Sequence, residues 1–547
     1  MKSLRLAIPF SFALAALFTA SICAQESYHE LLTPRIGAGK LAPSNHLNAY
    51  VQNGKLRLSL RDAVLLTLEN NSSIQIQETS VEYQKFNLLS AHQTFDPMLS
   101  SSLNINRYSS PTYSQLQGVG SSTSIASNAL TQTGQLTYSQ NFVTGTNLQA
   151  SLSSQKYSTN NTYDFFNPYF TSTLNLQVTQ SLLRNIGRFA NTAQIVIARR
   201  SLAQSRETFE AEVNDAILQV VNQYWNAVQA RGALDVQQKS LSLAEVSYNR
   251  DKRALELGAL PPLDIYRSQS EVAARKVQVI QASYTLQQAE EDLRLTIGAA
   301  QEPTLHAIPL ELTEQPQPAG DLANIDAATA LSQALERRPE ISSVQNALAN
   351  DETNIRLAHN QLRPDLSFTG FYQSSGLGGN QYNTTTGALA SSGGFGSSMD
   401  QTFNFGYPGY GGTLTLNLPI KNRGGQARLG NALVSKTRDL YNGRQTREQI
   451  TREVTDAVQQ LEVAKLALAA GGVSFDLAEK SLASDQRKFE LGAETNFFVL
   501  DSQTKLAQAE LSLLQTQISY QVALAAVGHA TGDLLTPYHV QIAALSK

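Results

Sequence analysis

The chain has 547 residues with 42 basic and 45 acidic side chains, a net charge of −3, so no basic excess points to a nucleic-acid partner. Charged residues make up 16%, below the ~25% usual for soluble globular chains. The mean hydropathy is nevertheless −0.23, which excludes a bundle of apolar membrane helices of ~20 residues each; the composition is that of a chain that is polar where charge is unwelcome.

At the N-terminus Lys2 and Arg5 precede the apolar run 6–23, which ends in small residues. This reads as a secretory leader, 1–24, with cleavage after Ser21, Cys23 or Ala24. Cys23 is the only cysteine, so a mature chain beginning after Ala24 can form no disulfide. The residues leave open whether Cys23 carries lipid. A segment 25–57 follows. From Arg61 on, Ala63, Leu66 and Leu68 and a run of helix formers to Ser90 predict an amphipathic helix, closed by Pro97.

Residues 98–183 contain only three charges, Arg107, Lys156 and Asp164. Leu174, Leu176 and Val178 alternate with Asn175, Gln177 and Thr179, and Leu99, Leu103 and Ile105 begin another strand. One face of Leu and aromatics and one of Ser, Thr, Asn and Gln fits a barrel with lipid outside and water inside. Tyr108, Tyr138, Phe142, Tyr169, Phe170, Phe371, Tyr372, Tyr407 and Tyr410 are candidates for its aromatic girdles. Residues 134–154, turning near Thr144-Gly145, predict an additional hairpin. Segments 115–129 and 376–401 are rich in Gly, Ser and Asn and read as long surface loops, with Gly376-Leu377-Gly378-Gly379 conferring flexibility.

Residues 190–256 hold no proline and one glycine, Gly232. Val213, Ile217, Val220, Tyr224 and Val228 line one helix face, and Trp225 reads as a packing residue. About 65 residues at 1.5 Å each make a rod of about 100 Å. It turns at Gly258-Ala259-Leu260-Pro261-Pro262 and returns to about residue 298. After the Pro-rich linker 301–323 the same textures recur: a helix closed by Pro364, strands across 365–420 with Leu414, Leu416 and Leu418 alternating, and a second rod over 425–531 with Val454, Val458 and Leu461 on one face. This rod turns at Gly492-Ala493-Glu494-Thr495-Asn496, returns through Leu511, Leu514 and Ile518, and leaves a tail, 534–547.

The recurrence extends to identities. At an offset of 267, Leu68-Glu69, Ile74, Ala91-His92, Pro97, Leu99 and Ser100 match Leu335-Glu336, Ile341, Ala358-His359, Pro364, Leu366 and Ser367. At an offset of 234, Asp251, Arg253, Glu256-Leu257-Gly258-Ala259 and Ser268-Gln269 match Asp485, Arg487, Glu490-Leu491-Gly492-Ala493 and Ser502-Gln503. The chain therefore reads as two internal repeats, 58–300 and 324–533, the first carrying an insertion in its middle. His92 and His359 recur at the helix-to-strand corner without converging metal ligands, so a structural role is expected and no cofactor. No catalytic motif is present, so the chain does not read as an enzyme. Four firm strands, or six with the extra hairpin, cannot close a barrel of about eight or more, and an open edge is not tolerated in lipid. Several copies must pool their strands; three would give twelve.

Arg61-Asp62-Ala63 with Leu68-Glu69-Asn70-Asn71, the paired Ala-His-to-Pro-to-Leu-Ser segments, the Glu-Leu-Gly-Ala tips and Phe498-Val499-Leu500-Asp501-Ser502-Gln503 together resemble the TolC-like outer-membrane efflux proteins, over essentially the whole mature chain. The resemblance implies an α+β membrane protein: a trimeric outer-membrane β-barrel with about four strands per chain, continued by a long α-helical coiled-coil periplasmic tunnel. It implies a homotrimer in outer-membrane lipid, with 25–57 in the periplasm, docked to a periplasmic adaptor and an inner-membrane pump of the resistance-nodulation-division or ABC type. It further places the adaptor-docking tips at Leu257, Gly258, Ala259, Leu491, Gly492, Ala493 and Glu494, and a cation-favouring constriction at Asp264, Asp501 and Phe498. The family pattern has a further Asp where Phe498 stands and a basic residue where Glu494 stands, so a double acidic ring and its basic latch do not carry over. The bland alternative for Asp264 and Asp501 is solvated acids at helix N-termini. Competing functions are a type I protein-secretion duct, a passive porin, and a soluble coiled-coil periplasmic scaffold.

Overall fold

The computed structural model describes residues 47–112, 126–258, 263, 265–301, 306, 308–318, 321–383, 386 and 388–536. The expected leader, most of segment 25–57, most of loop 115–129, Ala259, Asp264 and the end of the C-terminal tail lie outside these residues. The first half runs β1 (Val51–Gln52), β2 (Lys55–Leu58), α1 (Leu60–Asn70), α2 (Ser72–Ala91), β3 (Met98–Pro111), β4 (Ala126–Asn141), β5 (Thr146–Thr159), β6 (Phe166–Ser181), α3 (Gly187–Glu256) and α4 (Ile265–Thr296). The second runs β7 (Leu310–Leu312), α5 (Ala327–Arg337), α6 (Pro339–Gln361), β8 (Asp365–Tyr382), β9 (Leu389–Ser391), α7 (Phe395–Phe403), β10 (Tyr407–Asn417), α8 (Arg423–Glu490) and α9 (Asn496–Thr531).

Local chemistry sets the helix starts. Ser59 caps α1 in a capping box: its hydroxyl accepts the Asp62 amide at 3.2 Å, and the Asp62 carboxylate accepts the Ser59 amide. Asn71 ends α1 and caps α2. In the second half Asp326 caps α5 by accepting the Thr329 amide at 3.0 Å, and α6 starts with Pro339, where a missing N–H costs nothing. The starts of α1, α2 and β3 differ from those of α5, α6 and β8 by the offset of 267 read from the sequence, and the ends of α3 and α8 by the offset of 234.

The helices bury the faces the spacing predicts. Val213, Ile217, Val220 and Tyr224 on α3 pack with Val64 and Leu66 of α1, Leu293 of α4, Leu56 of β2 and Leu310 of β7 in one cluster. Val454, Val458 and Leu461 of α8 pack with Ala330 of α5 and Val527 of α9 in another. Each fully buried Leu, Ile or Val contributes about 1.5–3 kcal/mol. β1, β2 and β7 form a small sheet inside the first cluster, so the Pro-rich linker carries a strand that pairs in parallel with β2. Trp225 is buried edge-on against Tyr224, with ring centroids 5.8 Å apart. Helix α3 has 70 residues, about 105 Å at 1.5 Å per residue. A Cβ on Gly232 would meet the Leu514 side chain of α9, which is why this one glycine interrupts the rod's sequence. His92 caps the end of α2, its Nδ1 2.8 Å from the Leu88 carbonyl.

The second sheet corrects two readings. It is one surface of long strands in the order β10-β8-β6-β5-β4-β3, with β9 attached to β8. The chain therefore contributes six long strands to it, not four. The hairpin of β4 and β5 turns at Phe142–Gly145 and is fully paired on both sides, because its apolar and polar residues alternate in phase with its neighbours. The expected loops are also shorter. β4 begins at Ala126, and segment 376–401 contains the last third of β8, then β9 and most of α7. Gly376 and Gly378 lie within β8 because the backbone of α7 passes directly over them, where a Cβ would strike Ser398 or Gly394. These glycines mark close approach rather than flexibility.

Tyr224 ties the small sheet to α3: its hydroxyl donates to the Leu58 carbonyl and accepts the Glu314 amide, both at 3.2 Å. Tyr224→Phe is expected to leave the Glu314 amide unpaired and to cost about 1 kcal/mol, read as a lower chemical-denaturation midpoint with unchanged helix content.

Candidate functional site

The candidate site has two ends, the sheet and the hairpin tips. Helices α2, α3, α6 and α8 join the sheet at one end, at Met98, Ser181, Asp365 and Asn417. Residues opposite one another in a ladder share a face, and faces alternate along each strand. Leu99, Tyr138, Ala150, Leu176, Tyr372 and Tyr410 are consecutive partners across all six strands. One residue further along, Ser100, Thr137, Ser151, Asn175, Gln373 and Gly409 form the adjacent row on the opposite face. The apolar face continues through Leu103, Leu136, Leu152, Leu174, Phe368 and Leu414. Leu103, Phe368 and Leu414 are exposed. The polar face is cross-linked by bonds such as Thr179 to Thr369, 3.1 Å between hydroxyls.

The register sorts the aromatic candidates. Tyr138, Phe170, Tyr372 and Tyr410 lie on the apolar face, as a girdle requires. Tyr108, Tyr169, Phe371 and Tyr407 lie on the polar face, and Phe142 sits in the turn. Phe371 covers Gly411, filling the space a side chain would take. On the apolar face α7 docks on a window of small residues. The Ser398 hydroxyl lies 2.9 Å from that of Ser172, and Ser374 donates to the Thr402 carbonyl at 2.7 Å.

The far ends of the rods are built alike. Leu257 and Leu491 cap α3 and α8, and Gly258 and Gly492 follow, both with φ of 73°, a left-handed turn that glycine adopts without strain. Leu257 and Leu491 are among the most exposed apolar side chains, at 84% and 77%. Across the first tip the Ser268 hydroxyl donates to the Asp251 carboxylate; across the second, Ser502 donates to Asp485 at 2.5 Å. The sequence matches Asp251 with Asp485 and Ser268 with Ser502, but it did not assign them a bond. The equal separation of 17 residues in both copies was the available signal.

A polar link joins the two hairpins near their tips. Arg250 of α3 donates to the Asn496 side-chain oxygen at 2.5 Å, its guanidinium stacks 4.3 Å above Phe489, and Asn496 donates to Asp251 at 2.8 Å. Further along, Arg275 of α4 donates to Thr504 of α9 at 2.5 Å. Phe497, Phe498, Asp501 and Lys505 occupy one outward face of α9, opposite the buried Val499 and Ser502. Asp501 is paired with Lys505 at 2.7 Å, and Glu494 with Lys488 at 2.8 Å. The structure thus brings Phe498 and Asp501 together, with a lysine one turn on that the sequence reading did not weigh. The Asp501 hydrogen bond raises the Lys505 pKa, so the lysine stays charged at any working pH.

The Ser502 hydroxyl, with Lys488 adding to it, holds the Asp485 carboxyl below its ordinary value. A depressed carboxyl contributes stability above the unfolded Asp pKa of about 3.9, and the contribution is lost as pH falls through the lowered value. Ser502→Ala is expected to speed amide exchange at residues 491–498 several-fold at pH 7, and the difference from wild type should shrink below pH ~4. An equal effect at both pH values would reject the carboxylate as the partner that matters.

The model of the family described as outer membrane efflux protein matches residues 141–299 and 330–533. The TtgC toluene efflux pump outer membrane protein of Pseudomonas putida is 26% identical over 313 residues, 55% of this chain and 57% of that one. The chain thus spans a little over half the length of this relative. The outer membrane efflux protein BepC of Brucella suis is 21% identical over 366 residues, 66% of this chain and 73% of that one. Among solved structures, a membrane protein from Pseudomonas aeruginosa aligns with a TM-score of 0.61 at 19% identity, covering 91% of this chain and 99% of that one. The Campylobacter jejuni CmeC outer membrane channel aligns with a TM-score of 0.60 at 15% identity, covering 92% and 95%. With two family segments that fall on the β-sheet, both rods and the helices between them, the chain belongs to the outer membrane efflux protein family.

Proposed function

We propose that the chain is the outer-membrane channel of a tripartite efflux system, passing small molecules from a periplasmic pump assembly to the exterior. The observation that carries this is the sheet: six strands, one face apolar over the half next to the rods, one continuous polar face and two edges, β3 and β10, without a strand partner among the described residues. Such a surface is complete only as part of a closed wall between lipid and water. The working form is a homotrimer in the cell outer membrane, with the rods forming a periplasmic tunnel. Two apolar stripes support side-by-side assembly of rods: Val277, Ile280 and Tyr284 on α4, and Val463, Leu466, Val473 and Leu477 on α8, every one more than half exposed. The matching element starts, helix ends and tips support descent from one duplicated unit.

The tips, with Leu257, Gly258, Leu491, Gly492, Ala493 and Glu494, are the docking points for an adaptor protein, beyond which stands an inner-membrane pump of the resistance-nodulation-division or ABC type. Exposed leucines on glycine turns suit helix-to-helix docking. Phe498 and Asp501 line the narrow end.

Purified protein reconstituted in planar bilayers is expected to conduct. Protein that stays in the soluble fraction and conducts nothing would reject the channel in favour of a periplasmic scaffold, and conductance unaltered by deleting both hairpins would favour a passive porin. The Asp501–Lys505 pair sets a charge balance at the narrow end. Lys505→Gln should raise cation preference, and Asp501→Asn should shift it towards anions. Reversal potentials unchanged in both variants would remove these residues from the pore.

A further inference from the structure

We propose that the hairpin of β4 and β5 is part of the pore wall, so that the closed barrel has eighteen strands rather than the twelve that four strands per chain would give. The inference rests on the channel reading above and goes beyond it.

Four observations carry it. The hairpin is not appended to an edge: it lies between β3 and β6, and every long strand of the sheet is bonded in series. Its pairing is long and unbroken, from Met98↔Ser139 to Pro111↔Ala126 on one side and from Thr146↔Gln180 to Tyr157↔Tyr169 on the other. It carries the two-faced pattern without a phase change: Tyr138 and Ala150 continue the apolar row from Leu99 to Leu176, and Thr137 and Ser151 the polar row from Ser100 to Asn175. A hairpin expelled from the wall would leave β3 and β6 to pair directly and would expose its own backbone groups on both edges. In hydrocarbon each unpaired group costs several kcal/mol. Lastly, the charges of the hairpin are few: Lys156 is the single charged side chain in β4 and β5, near the end remote from the rods.

Three copies then join edge to edge, β3 of one chain antiparallel to β10 of the next. Face matching restricts the register. The apolar residues of β3 are odd-numbered and those of β10 even-numbered, so an odd position of one must stand opposite an even position of the other. With strands about 4.8 Å apart and tilted about 40°, an eighteen-stranded cylinder is about 36 Å across at the Cα atoms, and a twelve-stranded one about 24 Å. The exit would then be half again as wide as a twelve-stranded one, so resistance to cargo lies in the rods and tips and not in the barrel.

The test is disulfide mapping of the full chain in outer membranes. Ser102→Cys with Gln135→Cys, and Ser153→Cys with Thr173→Cys, are directly opposite pairs and are expected to close within one chain. Ser102→Cys with Thr173→Cys spans three strand spacings, about 14 Å, beyond the reach of a disulfide. Closure of that last pair within a chain, with the first two open, would overturn the proposal and leave a twelve-stranded pore. Thr413→Cys combined in turn with Ser100→Cys, Ser102→Cys and Asn104→Cys is expected to link neighbouring chains for at least one partner. Failure of all three would count against the assembled channel itself, whatever the hairpin does. Projection images of the purified assembly give an independent reading of the wall: about 36 Å supports eighteen strands, and about 24 Å overturns them.

Discussion

A backbone amide that leaves water for hydrocarbon must find a partner, and this constraint organises the molecule. The strands of the large sheet satisfy it internally, row by row, except along β3 and β10. The two-faced alternation makes the surface useful only where lipid meets water. The polar face can be lined with Ser, Thr, Asn and Gln because hydroxyls and amides hydrogen-bond with each other and with water without carrying charge. The low charge fraction of the chain is thus local, concentrated in the strands, while the rods keep ordinary ion pairs such as Lys239 with Glu510 and Lys480 with Asp476.

The rods obey a different logic. Their cores are narrow seams of Val, Ile, Leu and Ala, thickened only where α1, α5 and the small sheet pack against them. Away from that girdle, polar links hold the two hairpins together. Arg250 is the centre of the link at the tips, reaching Phe489 and Asn496, and Asn496 in turn holds Asp251. The Arg250–Asn496 bond is exposed, and such a link is weak individually, while the Asn496–Asp251 bond beside it is half-buried.

Much of this was legible beforehand. The two rods, their glycine turns and the buried face of α3 follow from periodicity, because long helices and tight turns are governed by local sequence. Segment 376–401 reads as a loop because Gly means flexibility in isolation, but Gly376 and Gly378, like Ser172 and Ser374 beside them, are small because α7 lies on them. The aromatic girdle was half legible. Tyr372 and Phe371 are neighbours in sequence and belong to opposite faces, and only the register says which faces lipid.

Which segments are rod and which are strand, where each hairpin turns, and that the strands have one wet and one greasy side are all written in the amino-acid pattern. These are properties of period and composition within a few turns of chain. That the inserted hairpin lies inside the sheet and not beside it, and that Arg250 bridges the tips, comes from the three-dimensional packing. Each depends on which residues distant in sequence come within hydrogen-bonding distance, and alternation or spacing alone cannot specify that, whereas the Asp501–Lys505 pair follows from a four-residue spacing on one helix.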